Sequence, residues 1–198
     1  LSDTKNVIVP QGITHIGSYA YYNGNDAGLV LKNVRLPDTL TSIGRSAFSY
    51  LTEIETVELP ESLQTMGDYC FSGSSVTSMT IPSGITSIPA GCFSYCANLT
   101  TISLPKSLQT ISEYAFRDCP LLMEIPTYDD GNLTTIGYGA FMNCTGLTEV
   151  KIPDTVTVIE GNAFYGCTGI TKLVLPEVIT LRLGAFGDLT GLKELTVP

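Results

Sequence analysis

At 198 residues, with 43% hydrophobic and 15% charged side chains, the chain can bury a sizeable core, and its composition excludes a disordered tail. Nineteen acidic against ten basic residues give a formal net charge of −9, which repels phosphate backbones and anionic lipid, so nucleic acid and membrane surfaces are not expected partners. No apolar run approaches the length of a membrane span, and no membrane insertion of this segment is expected.

The chain opens on Leu1 without a basic-then-apolar leader and closes on Leu195-Thr196-Val197-Pro198, the start of another repeat. Residues 1–198 are therefore expected to form one array cut from a longer protein, with any export signal or anchor outside this segment. Between these ends one unit recurs. It reads LPDTLTSIGRSAFSYL at 36–51, LPESLQTMGDYCFSGS at 59–74, LPKSLQTISEYAFRDC at 104–119 and IPDTVTVIEGNAFYGC at 152–167. Its aromatic marker falls at Tyr21, Phe48, Phe71, Phe93, Phe116, Phe141, Phe164 and Phe186, a period of 22–23 residues with two insertions.

Each part of the unit has its own physical reading. In Val57-Glu58-Leu59, Ile102-Ser103-Leu104 and Val150-Lys151-Ile152 apolar residues alternate, which predicts a short strand with one face buried. The following proline (Pro37, Pro60, Pro82, Pro105, Pro153, Pro176) lacks an amide hydrogen and ends that strand. An apolar pair at three-residue spacing follows, as in Leu40/Ile43, Leu108/Ile111 and Val156/Ile159. The Ala-Phe-x-x-Cys stretch has the spacing of one helical or 3₁₀ turn, too short to stand alone. One unit cannot bury its own apolar face, so the units must stack, Phe on Phe and Leu on Leu.

The LPxxLxxIGxxAFxxC core resembles the BspA-like leucine-rich repeats over residues 7–198. The resemblance implies a leucine-rich-repeat solenoid, a right-handed superhelix of about eight 22–23-residue coils. Short parallel strands are expected on one face, and short strands with 3₁₀ or helical turns on the other. It also implies a cell-surface or secreted setting, since such repeats occur mainly in surface and secreted proteins of bacteria and some protists. Where ordinary leucine-rich repeats carry a laddered asparagine, this chain has Thr39, Ser62, Gly84, Ser107 and Thr155.

Most reactive side chains fall at repeat positions. Cys96, Cys119, Cys144 and Cys167 share a slot with Leu51 and Leu189, and Cys70 and Cys92 take the alanine slot, so buried free thiols are expected. Side chains of parallel coils point the same way without converging, which leaves one disulfide as the alternative; no CxxC pair supplies a zinc site. His15, the only histidine, lies two coils from the nearest cysteine in sequence, out of reach of a nucleophile–base pair. Gly137-Tyr138-Gly139 looks like a dinucleotide fingerprint but sits inside the repeat with no βαβ unit around it.

Function is then sought where the repeat fails. Extra residues occur at 22–29, including Asn23-Gly24-Asn25-Asp26-Ala27-Gly28, and at Thr127-Tyr128-Asp129-Asp130-Gly131-Asn132. The second insertion follows a stretch, Cys119 to Pro126, two residues shorter than its sisters. Asp and Asn beside Gly are turn chemistry, with a calcium site as the alternative. The candidate binding surface comprises Tyr128, Asp129 and Asp130 with the strand-face charges Arg35, Glu58, Glu149, Lys151 and Lys172. Tyr19, Tyr69 and Tyr114 before the Phe turn, with Tyr50 and Tyr95 after it, either shield the core edge or form an aromatic contact stripe.

The sequence thus reads as a monomeric, non-catalytic, adhesin-like interaction module with no cofactor, binding a protein or glycan of a host or neighbouring cell. Two alternatives stay open. One is a structural spacer presenting another domain; the other is an enzyme with a solenoid platform, whose single pair of adjacent carboxylates is Asp129-Asp130.

Overall fold

The computed structural model describes residues 6–24, 30–177 and 179–197, so residues 25–29 of the first insertion lie outside the described residues. The chain forms a parallel β-solenoid of about eight turns. Three-residue strands, from Asn6–Ile8 to Glu194–Thr196, line its front; two-residue strands, from His15–Ile16 to Thr180–Leu181, line its back.

Alternation sets the front. The three-residue strands from Asn33–Arg35 to Lys172–Val174 bury their middle side chain, whereas Val7 in the first strand is partly buried and Leu195 in the last is exposed. Val7, Val34 and Val57 are in parallel register, as are Val150 and Leu173. The residues on either side face solvent, so each strand exposes two positions per coil. The proline after the strand does more than end it. Its carbonyl accepts a hydrogen bond from the amide three residues on, as in Leu63 N to Pro60 O (3.0 Å) and Leu108 N to Pro105 O (3.0 Å). That turn swings the next leucine inward, where Leu40, Leu63, Leu108 and Val156 are fully or almost fully buried. The back strands then add Ile88, Ile111, Ile136 and Ile159 in register across consecutive coils.

The third side corrects the expected helical turn, because no helix occurs among the described residues. Around the Phe, alternate amides bond within the coil and to the next coil. Phe116 N donates to Ala140 O (2.7 Å), whereas Ala115 N donates to Ser112 O (3.3 Å). Donors directed out of the coil cannot propagate a helix. The chain manages this alternation by visiting the left-handed region two residues before the Phe and again two after it.

Before the Phe these residues are Tyr19, Ser46, Tyr69, Gly91, Tyr114, Gly139, Asn162 and Gly184, with φ between 51° and 69°. The row alternates large and small, and the reason is steric. The Tyr69 ring lies where a Cβ on Gly91 would be, and the Tyr50 ring covers Gly73 in the same way (2.7 Å). A side chain in one coil thus occupies space vacated by the next. Gly91→Ala should cost about 1–3 kcal/mol, through a strained φ and a clash with that ring. Part of the loss should return in the Tyr69→Asn background, as urea titration of the double-mutant cycle would show.

The core is the stack inside these three sides. The marker rings from Tyr21 to Phe186 lie face to face with centroids 5.1–5.6 Å apart and planes within 3–12°. Phe48, Phe71, Phe93, Phe116, Phe141 and Phe164 are fully buried. The predicted Phe-on-Phe packing is what the chain adopts.

The front is less regular than the back. Strands Thr56–Glu58 and Ser78–Thr80 are neighbours without a shared ladder, and residues 123–125 form no strand between Thr101–Ser103 and Glu149–Lys151. Across that same coil the back ladder runs unbroken, with Ile111 opposite Ile136. The shortening before Pro126 and the insertion after it therefore distort the front alone.

Candidate functional site

The irregular coil builds a surface that no other described coil repeats. Because the chain from Cys119 to Pro126 is short, Met123 does not enter a front ladder; its amide reaches Thr100 O only at 3.4 Å, and its side chain is 54% exposed. Beside it opens a depression of about 530 Å³, lined by Thr101, Met123, Glu124, Ile125, Thr127, Thr148, Glu149 and Lys151.

The 127–132 loop closes one end of this surface and is tied to both neighbouring coils. Thr127 Oγ1 donates to Lys151 O (3.2 Å) and Asn132 N donates to Lys106 O (3.0 Å). Lys106 Nζ pairs with Asp130 (2.6 Å) and sits 5.7 Å from the centre of the half-buried Tyr128 ring. Its hydrogen bond and charge hold the exposed Asp130 carboxyl below the usual carboxylate range. Lys151 Nζ pairs with Asp129 at 2.7 and 2.8 Å. The two aspartates therefore turn to lysines on opposite sides of the loop. A hard cation needs converging oxygens, and this arrangement engages the carboxylates separately.

Of the eight sequence-predicted residues, the structure gathers Tyr128, Asp129, Asp130, Lys151 and Glu149 around the irregular coil. Lys172 joins them through a 3.1 Å pair with Glu149, whose hydrogen bond and charge raise the lysine pKa. Arg35 and Glu58 stand apart. They are register partners on the early front strands and line a separate depression of about 520 Å³ with Asn33, Asp38 and Thr56. Sequence reasoning missed Met123 and Lys106. The two-residue shortening could have flagged Met123, whereas Lys106 lies in an ordinary repeat and is recruited only by the fold.

Reactive groups elsewhere are arranged for packing. All six cysteines are buried and free. Cys119, Cys144 and Cys167 donate to the carbonyls of Phe93, Phe116 and Phe141 in the preceding coil at 3.0–3.1 Å. One expectation needs correction. Cys70 and Cys92 do converge, with buried sulfurs 3.3 Å apart across adjacent coils. His15 is exposed, and its Nδ1 lies 2.6 Å from the neighbouring Thr14 hydroxyl.

The tyrosines flanking the Phe turn form a visible stripe. Tyr19, Tyr50 and Tyr95 are each about half exposed, at 53%, 45% and 48%. Arg45 stacks on Tyr69 at 5.1 Å, and Arg117 lies 5.4 Å from the centres of both Tyr95 and Tyr114.

Comparison with known proteins agrees with this architecture. The sequence matches the family described as BspA type leucine rich repeat region, in six copies over residues 14–130 and 123–198. A leucine-rich repeat protein of Bacteroides ovatus superposes with a TM-score of 0.72 at 26% identity, covering 96% of this chain and 54% of that one. The chain thus spans about half the length of that relative. A Treponema leucine rich repeat protein (T. pallidum) gives a TM-score of 0.65 at 26% identity, covering 95% and 78%. The pneumococcal vaccine antigen PcpA shares the fold at 18% identity, with a TM-score of 0.52 over 99% and 72%. Among curated proteins, none matches. The repeats, the stacked core and the match over most of the length agree: the chain belongs to the BspA-type leucine-rich repeat family.

Proposed function

We infer that this chain is a non-catalytic interaction module, adhesin-like in role, which contacts a macromolecule of a host or neighbouring cell from a cell surface or as a secreted protein. The observation that carries this reading is the irregular coil. There an exposed Met123 lines a depression of about 530 Å³ together with Glu124, Glu149 and Lys151, and the ring-bearing loop adjoins it through Thr127 and the Lys151–Asp129 pair. An adaptable thioether and an aromatic anchor beside paired charges are chemistry suited to a protein partner. The fold supports the non-catalytic part, since leucine-rich repeats typically serve as interaction scaffolds. The surface setting rests on the family, whose repeats occur mainly in surface and secreted proteins.

The test is binding to a panel of immobilised extracellular-matrix proteins and cell-surface glycoproteins. Met123→Ser and Tyr128→Ala should each weaken retention on the order of tenfold while leaving the melting temperature nearly unchanged. No retention by any panel member would favour the spacer reading instead. Retention that both variants keep in full would place the contact elsewhere.

A further inference from the structure

From Tyr19 to Tyr114, five successive coils each carry one tyrosine in the left-handed region, alternately two residues before and two after the marker ring. A tyrosine in that region is uncommon, and glycine or asparagine fits it with less strain. The fold itself uses Gly91, Asn143 and Asn162 at equivalent positions. The backbone therefore does not require these rings. Packing on the next coil explains one side of Tyr50, which rests against Gly73, but 45% of the residue stays exposed.

Marker rings recur every 5.1–5.6 Å, so tyrosines in the same row, two coils apart, are roughly 10 Å from each other. That is about the length of one disaccharide in an extended β-linked chain. At the amino-terminal end Tyr22 stands edge-on between Tyr19 (5.6 Å) and Tyr50 (5.9 Å). With Arg45, Ser46 and Ser49 these rings line a hollow of about 270 Å³. The guanidinium groups do not make the stripe cationic, because Arg45 is tied to Asp68 (3.4 Å) and Arg117 to Asp118 (2.9 Å).

We propose that this tyrosine stripe binds a neutral, extended, β-linked polysaccharide. The exposed parts of Tyr19, Tyr50 and Tyr95 offer apolar ring surface to the C–H face of a sugar, extended at Tyr95 by the Arg117 guanidinium that lies over it, and the flanking hydroxyl, carboxylate and guanidinium groups meet its hydroxyls. Rings separated by polar side chains suit a ligand of repeated amphipathic units better than a protein partner, which prefers a continuous apolar centre. The local cancellation of charge favours a neutral polymer. This surface lies on the turn side of the coil and is independent of the Met123 surface on the front.

Electrophoresis of the intact chain through native gels tests the proposal. The gels would contain a soluble neutral β-linked glucan, a compactly coiled α-linked glucan, an anionic polysaccharide or none. Selective retardation by the β-linked glucan is expected. Tyr50→Asn and Tyr95→Asn, which install a residue the fold already uses at such positions, should each weaken it about tenfold with circular dichroism unchanged. Equal mobility in all gels would overturn the proposal. So would equal retardation by the α-linked or the anionic polymer, or retardation that survives both substitutions.

Discussion

Phe116→Ala should destabilise the protein by about 3–5 kcal/mol, read as a lowered urea midpoint. The side chain is fully buried and stacked on both sides, 5.4 Å from Phe93 and 5.2 Å from Phe141. Its removal leaves a void spanning two coil interfaces, and the rings above and below cannot close it because backbone hydrogen bonds fix the spacing. Phe116 N is bonded to Ala140 O at 2.7 Å, and Phe116 O receives the Cys144 thiol at 3.0 Å. The same change at Phe186 should cost less than half as much. That ring is only partly buried and caps the stack, resting on Phe164 at 5.1 Å. The contrast follows from a quasi-one-dimensional architecture, in which each coil is held by its neighbours. Equal losses at the two positions would contradict it.

Alkaline pH should unfold the protein well before its other groups would require it. Burial raises the thiol pKa of Cys92 and Cys96, and pushes Cys167 from 9.0 up to about 12. Cys119 is raised first by its hydrogen bond with Cys144 and then by burial. In each case the folded pKa lies above the unfolded one, so between the two the folded state retains a proton that the unfolded state releases. The stabilisation is complete below the unfolded value of about 9 and is lost as pH climbs toward the folded values. The loss is about 1 kcal/mol per pH unit for each thiol, so four such thiols would consume most of a typical stability by about pH 11. Melting temperatures from pH 7 to 11 would show the fall. Replacing Cys167 and Cys96 with Leu and Ser, residues the fold places in that slot, should flatten the curve. A wild-type curve that stays level to pH 11 would mean that the thiols are not sequestered.

Much of the fold was legible because it is periodic. Alternation in Val57-Glu58-Leu59, the proline after it and the recurring Phe each act locally, and stacking copies the result along the chain. The turn around the Phe reads as helical or 3₁₀ from sequence for a physical reason. A three-residue spacing such as Phe116 to Cys119 suits a helical turn and an alternating turn equally, and the deciding bonds, such as Phe116 N to Ala140 O, run to another coil. Convergence of Cys70 and Cys92 is not legible in the sequence for a similar reason, since it is a contact between two coils.

The candidate site was half legible. Tyr128, Asp129 and Asp130 stood out as an interruption, but their engagement by Lys106 and Lys151, more than twenty residues away on either side, exists only after folding. Arg35 and Glu58 follow instead from alternation, as outward-facing strand residues, and fall in a different depression. Exposure alone does not group residues. The departure from the repeat does, and the tyrosine rows show a second kind of departure, a two-coil rhythm visible once φ is known.

The central claim, that interaction is concentrated where the repeat fails, is tested most directly by hydrogen-exchange protection with a retained partner bound. Protection is predicted at Thr101–Ser103, at 123–132 and at Glu149–Lys151, with the remaining front strands exchanging as in the free protein. Protection confined to the regular strands Asn33–Arg35 and Thr56–Glu58, or spread evenly along the front, would contradict it.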